Sequence, residues 1–182
     1  MNAEPISDDN CSPVREYSAA EALINNVPYI AMTVLGAAIF AVALGDSAWG
    51  PLTAVAYLAY GAAGSLWIMV FVCPYCRYWN SSECPCGYGL VAARFRPKAV
   101  VDCFDEKFKK HIPVIVPLWI LPLLAGLPDV VRNFSWLLLA LLVLFAIDAF
   151  AVLPLVSTKH GCKECPQKDS CPWIIIKSKV VG

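Results

Sequence analysis

The sequence predicts an all-α integral membrane protein, four transmembrane helices in two hairpins, with a cysteine-rich loop and a cysteine-rich tail on the cytoplasmic face. Three observations carry that expectation. Hydrophobic residues make up 59% of the chain and the mean hydropathy is +0.62, against roughly 45–50% apolar content in soluble domains. The apolar residues are gathered into four runs separated by polar stretches. Lysine and arginine fall almost wholly on one side of the frame those runs define.

Residues 1–26 form a polar, acidic segment carrying Glu4, Asp8, Asp9, Glu16 and Glu21, with a short helical pattern from Ser18 to Ile24. A secretory signal needs a positive start ahead of its apolar core. Here a single Arg15 stands against five acids, so none is expected. Val27 to Leu44 is free of charge and, at about 1.5 Å per residue, nearly crosses a hydrocarbon core of roughly 30 Å. Gly45 to Gly50 reads as a turn, and Pro51 opens a second helix to Val72, since a first helical turn tolerates a residue without an N–H. Residues 27–72 are therefore the first hairpin. Ala54, Ala56, Ala59, Gly61, Ala62, Ala63 and Gly64 make the second span a helix whose neighbours can approach closely.

Residues 73–111 are a polar loop holding Cys73, Cys76, Cys84, Cys86 and Cys103, then FDEKFKKH from Phe104, which reads as an amphipathic helix on the membrane surface. Residues 112–156 are the second hairpin. Ile112 to Leu127 carries Pro113, Pro117 and Pro122 and should be kinked; Pro128 to Asn133 reads as a turn; Phe134 to Val156 is interrupted only by Asp148. Residues 157–182 form a tail with Cys162, Cys165 and Cys171, ending in a β-prone or interfacial stretch. Each half is thus a hairpin followed by CxxC and a later Cys-Pro, which suggests a parallel repeat.

In this frame every one of the fourteen lysines and arginines except Arg132 lies with the N-terminus, the long loop or the tail. The positive-inside rule puts that side in the cytoplasm. The expected location is a cytoplasmic (inner) membrane. Net charge is zero, so the basic surface that nucleic-acid binding requires is missing and no nucleic acid is expected.

Nine cysteines facing a reducing compartment point to metal ligation rather than structural disulfides. Cys73, Cys76, Cys84 and Cys86 supply four thiolates on a short loop, which suits an iron–sulfur cluster of the 4Fe-4S type or tetrahedral zinc. Cys162, Cys165 and Cys171, spaced CxxCx5C, need a fourth ligand, with Cys103 first, then His160, then Cys11 as candidates. This CxxCx5C fragment resembles part of the auxiliary iron–sulfur ligand set of SPASM domains in radical-SAM proteins. The CPYC of Cys73 to Cys76 resembles the active-site motif of glutaredoxins, and implies thiol–disulfide chemistry.

Small zinc sites mainly supply folding energy, and membrane helices already anchor these loops. Two clusters at one interface fit an electron path better. The sequence therefore predicts an iron–sulfur protein passing electrons between a soluble cytoplasmic partner and membrane quinone. A zinc-stabilised scaffold and a thiol–disulfide oxidoreductase are the alternatives. The only histidines, His111 and His160, lie at helix edges, so haem is not expected. Asp148 is read as a proton-handling group, because an acid inside a span costs roughly 2.5–3.5 kcal/mol and tends to face a bundle interior; a packing role is the competing reading. His111 is read as a quinone or metal partner, against a solvated interfacial histidine.

Overall fold

A computed structural model describes residues 15–45 and 48–162. These residues are helical throughout the membrane-length elements and contain no strand. In chain order the elements are α1 (Ala19–Ala43), α2 (Trp49–Phe71), a 3₁₀ turn (Cys73–Tyr75), α3 (Tyr88–Ala92), a 3₁₀ turn (Val101–Cys103), α4 (Phe104–His111), a 3₁₀ turn (Ile112–Val114), α5 (Pro117–Arg132), α6 (Trp136–Ile147), a π-helical segment (Asp148–Val152), α7 (Leu153–Val156) and a second π-helical segment (Ser157–Cys162). Four helical runs are long and apolar enough to cross a membrane: Ala19–Ala43, Trp49–Tyr75, Val101–Arg132 and Trp136–Lys159.

Two boundaries differ from the sequence reading, each for a local reason. α1 begins at Ala19 rather than Val27 because Ser18 and Glu21 form a capping box: the Glu21 N–H donates to Ser18 Oγ (3.3 Å) and the Ser18 N–H to Glu21 Oε2 (2.9 Å). The short helix expected over Ser18 to Ile24 and the first span are one helix. α5 runs to Arg132, with Pro122 and Pro128 inside it, so Pro128 bends a helix instead of starting a turn. The FDEKFKKH helix, α4, leads through the Ile112–Val114 turn into α5, within the helical run Val101–Arg132.

α1 is the central element, packing on α2, α5 and α6. The core comprises Met32, Ile39, Tyr57, Leu118, Leu138, Leu142 and Phe145. It closes tightly because small residues sit where helices cross. A Cβ on Gly36 would come within 2.5 Å of the Tyr57 ring, so only glycine lets α1 and α2 approach this far. The Tyr57 hydroxyl donates to Leu118 O (2.6 Å), and that of Tyr60 to Val114 O. Outward faces carry exposed Val34, Leu52, Val55, Leu124, Val143 and Leu144, an apolar surface suited to lipid contact.

Candidate functional site

The N-terminal end of α1, the loop after α2, and the C-terminal end of the last span come together at one end of the bundle. Three bonds tie α1 to the loop: the Tyr17 N–H donates to Ser82 O (2.9 Å), Asn25 Nδ2 to Pro85 O (2.8 Å) and Asn26 Nδ2 to Cys86 O (3.0 Å). Carbonyls in a turn-rich loop have no ladder to satisfy them, and the two asparagine amides fill that need.

The loop itself is built from short turns. The Cys76 N–H donates to Cys73 O and the Trp79 N–H to Cys76 O, while the Cys84 N–H reaches Ser81 O and the Gly87 N–H reaches Cys84 O. Asn80 (φ 56°) and Gly87 (φ 71°) take the left-handed backbone these reversals demand. Gly89 sits so close to the Tyr78 backbone that an added Cβ would collide with its carbonyl oxygen. Its N–H points at Cys84 Sγ (3.4 Å) and its carbonyl accepts from Asn80.

Cys73, Cys76, Cys84, Cys86 and Cys103 are all half-buried and not disulfide-linked. Cys76, Cys84 and Cys86 lie within electrostatic reach of the Cys73 thiol, so the fold gathers the first predicted cluster. The Val101–Cys103 turn packs on the Cys73–Tyr75 turn. Four thiols are a donor set whose chemistry suits iron–sulfur or zinc. Among the described residues, however, no three His, Cys, Asp or Glu side chains form a set that could hold a metal ion. Cys162 ends the last helical segment; its side chain and that of His160, together with Cys165, Cys171 and Cys11, lie outside what is described.

Directly beside this loop the bundle opens into a cavity of about 750 Å³. Its walls come from α1 (Asn25, Asn26, Tyr29), α2 (Gly64, Ser65, Ile68), the loop (Cys86, Tyr88), α4 and α5 (Phe108, Ile112, Ile115, Trp119, Leu124) and the last span (Ala149, Phe150, Leu153, Pro154, Ser157). None of the lining residues is charged. Pro154 helps open it. Proline has no N–H for the carbonyl four residues back and clashes with it, and the helix loosens to π geometry, with the Leu153 N–H bonded to Asp148 O. The Trp119 indole N–H donates to Ala149 O (3.2 Å) across the same wall.

The polar groups of the cavity cluster at the loop end. Tyr29 and Ser65 hydroxyls both donate to Gly61 O, at 2.8 and 3.3 Å, and the Ser65 side chain interacts with Tyr88. Burial, reinforced by the neighbouring Cys86 thiol, pushes the Tyr88 phenol above its ordinary range, with the Ser65 bond opposing. Tyr88 is therefore a neutral hydroxyl at any physiological pH.

The other two predicted residues stand apart from this wall. His111 lies at the end of α4 with its ring against Phe71 (centroids 5.2 Å) and its Nδ1 accepting from the Trp67 indole N–H (3.2 Å). Asp148 opens the π segment, which packs on α1, and its Oδ2 is buried without a hydrogen-bond partner. Sequence reasoning missed the cavity and its Tyr29, Ser65 and Tyr88 hydroxyls. A serine in an apolar span and an Asn-Asn pair just before one were the available signals.

No family model, curated protein or solved structure matches the chain.

Proposed function

We propose that this protein is a membrane redox protein that exchanges electrons between the cysteine loop and a membrane quinone, with a soluble cytoplasmic partner on the other side of the exchange. One observation carries the reading. Cys86 belongs both to the four-cysteine loop and to the wall of the uncharged cavity, so redox chemistry on the loop would meet a lipophilic acceptor without crossing solvent. The charge asymmetry of the sequence supports a cytoplasmic position for this end in an inner membrane.

Cys73, Cys76, Cys84 and Cys86 would hold a cluster of the 4Fe-4S type, with Cys103 beside them and Cys162, Cys165 and Cys171 as donors to a second. Such a cluster would supply single-electron transfer at a potential tuned by hydrogen bonds to sulfur. The chain's own contribution is definite: the Gly89 N–H faces Cys84 Sγ, and Asn25 and Asn26 fix the loop against α1. Reduction of a quinone also takes up protons. Asp148, whose Oδ2 has no partner, is the proton-handling candidate, in keeping with the use of intramembrane acids. His111, whose Nδ1 is taken by Trp67, keeps only Nε2 for a ligand.

That no metal-holding set is found among the described residues motivates a second reading, in which thiols act in pairs. Cys73 and Cys76 would form an S–S bond as two S–H bonds break, and the two electrons and two protons would pass to the quinone to give quinol.

Anaerobic purification in detergent, with iron, sulfide and zinc analysis and a visible spectrum, separates these readings. Iron with acid-labile sulfide and a spectrum bleached by dithionite and restored by quinone is the expected result. A metal-free protein whose thiols are titrated by quinone supports the second reading. A colourless zinc protein whose thiols quinone leaves unchanged overturns both. Maleimide labelling of the loop cysteines in sealed vesicles only from the outside would overturn the orientation.

A further inference from the structure

The proposed electron exchange leaves open how the cavity would recognise a quinone rather than a lipid chain. The cavity has two unlike ends. Toward lipid it is lined by Ile120, Leu124, Phe150 and Leu153. Toward the loop it carries hydroxyls and amides, and no charged side chain that would hold a phospholipid phosphate. Such a site takes a long apolar chain ending in a small, uncharged, oxygen-bearing head.

At the polar end several donors already have partners. Tyr29 and Ser65 both donate to Gly61 O, and Asn25 and Asn26 donate to loop carbonyls. The Tyr88 hydroxyl, on the cavity wall with Ser65, is not among the donors that hold a helix or loop carbonyl in the described residues. It sits two residues from Cys86 and within electrostatic reach of its thiol.

We infer that Tyr88 hydrogen-bonds a ring carbonyl of an isoprenoid quinone in this cavity, and so holds the ring beside Cys86 with the tail running past Leu124 and Phe150. This rests on the electron-exchange reading for the choice of quinone over other neutral-headed amphiphiles.

Binding of a decyl-substituted benzoquinone to the full-length protein in detergent tests it, read as saturable quenching of tryptophan fluorescence. Trp119 lines the cavity, so Trp119→Phe should remove much of the quenching. Tyr88→Phe should raise the dissociation constant for the quinone roughly three- to tenfold, the effect of losing one hydrogen bond. It should leave the binding of decylbenzene, which has no carbonyl, unchanged. Ser65→Ala, whose hydroxyl already donates to Gly61 O, should bind quinone about as tightly as the parent. Three results would overturn the inference: equal quinone affinity in Tyr88→Phe, equal loss in Tyr88→Phe and Ser65→Ala, or decylbenzene competing as strongly as the quinone. If binding depends on Tyr88 but the bound quinone is never reduced, the electron-exchange reading fails and the site stands. Reduction that proceeds unchanged in Tyr88→Phe has the opposite meaning.

Discussion

The same four spans make two different interiors. In the half around Tyr57, Leu138 and Phe145 the helices close until glycine alone fits at the crossings, and the core side chains are almost completely buried. In the half around Tyr29, Ser65, Tyr88 and Leu153 they part around about 750 Å³ of space. Composition does not cause the difference, since both halves are apolar. Helix regularity does: the closed half is ordinary α-helix, whereas the open half contains both π-helical segments and Pro154. The lesson is that a membrane bundle can place its site by relaxing one stretch of one helix while the opposite half supplies the stability.

That contrast is open to direct attack. The largest effect should come from Leu138→Ala, which empties a fully buried position and is expected to destabilise the fold by about 2–4 kcal/mol. Leu153→Ala, on the cavity wall, already faces open space and should lose about 1 kcal/mol or less. Thermal unfolding of both variants in one detergent checks the pair, and equal losses would mean the two halves are packed alike. Next in size, Gly89→Ala forces its Cβ onto the Tyr78 carbonyl, so the cysteine loop must shift. We expect alkylation of Cys84 and Cys86 to speed up severalfold while the melting temperature of the bundle barely moves. A matching fall in melting temperature would show that the loop and the closed core unfold together. The smallest effect is expected for Asn26→Ala. It leaves the Cys86 carbonyl without its amide, costs about 1 kcal/mol, and should raise hydrogen exchange in the loop but not in α6.

Much of the architecture was legible in the sequence because crossing a bilayer imposes a length and a polarity that single residues reveal. All four spans and the polar loop between the second and third follow from that constraint. So does the close packing at Gly61, where an added Cβ would fall within 2.8 Å of Thr33 Cγ2. The start of α1 was legible in principle, in the Ser18 and Glu21 pair, but a polar first turn hides a helix from a hydropathy reading. Asn25 and Asn26 look like residues outside the membrane until the loop they hold is seen. The cavity was out of reach for another reason. Its polar end joins Tyr29, Ser65 and Tyr88 from three separate elements, and nothing in their spacing along the chain announces that they meet. The cysteines fall between these cases: their grouping follows from sequence proximity, whereas how their loop folds back depends on the turns at Asn80 and Gly87.

The π segment at Asp148–Val152 also acts as a phase shift. Each residue of an α-helix turns the chain by about 100°, and a π turn in effect accommodates one residue more than the α-helical register would. Deleting a single residue there and restoring α geometry would rotate everything downstream about the helix axis by that angle. Leu153, Pro154 and Ser157 would leave the cavity wall, and the chain carrying Cys162 would depart from another side of the bundle. The face of the last span that meets the cavity is therefore set by the register of the π segment, not by hydropathy alone.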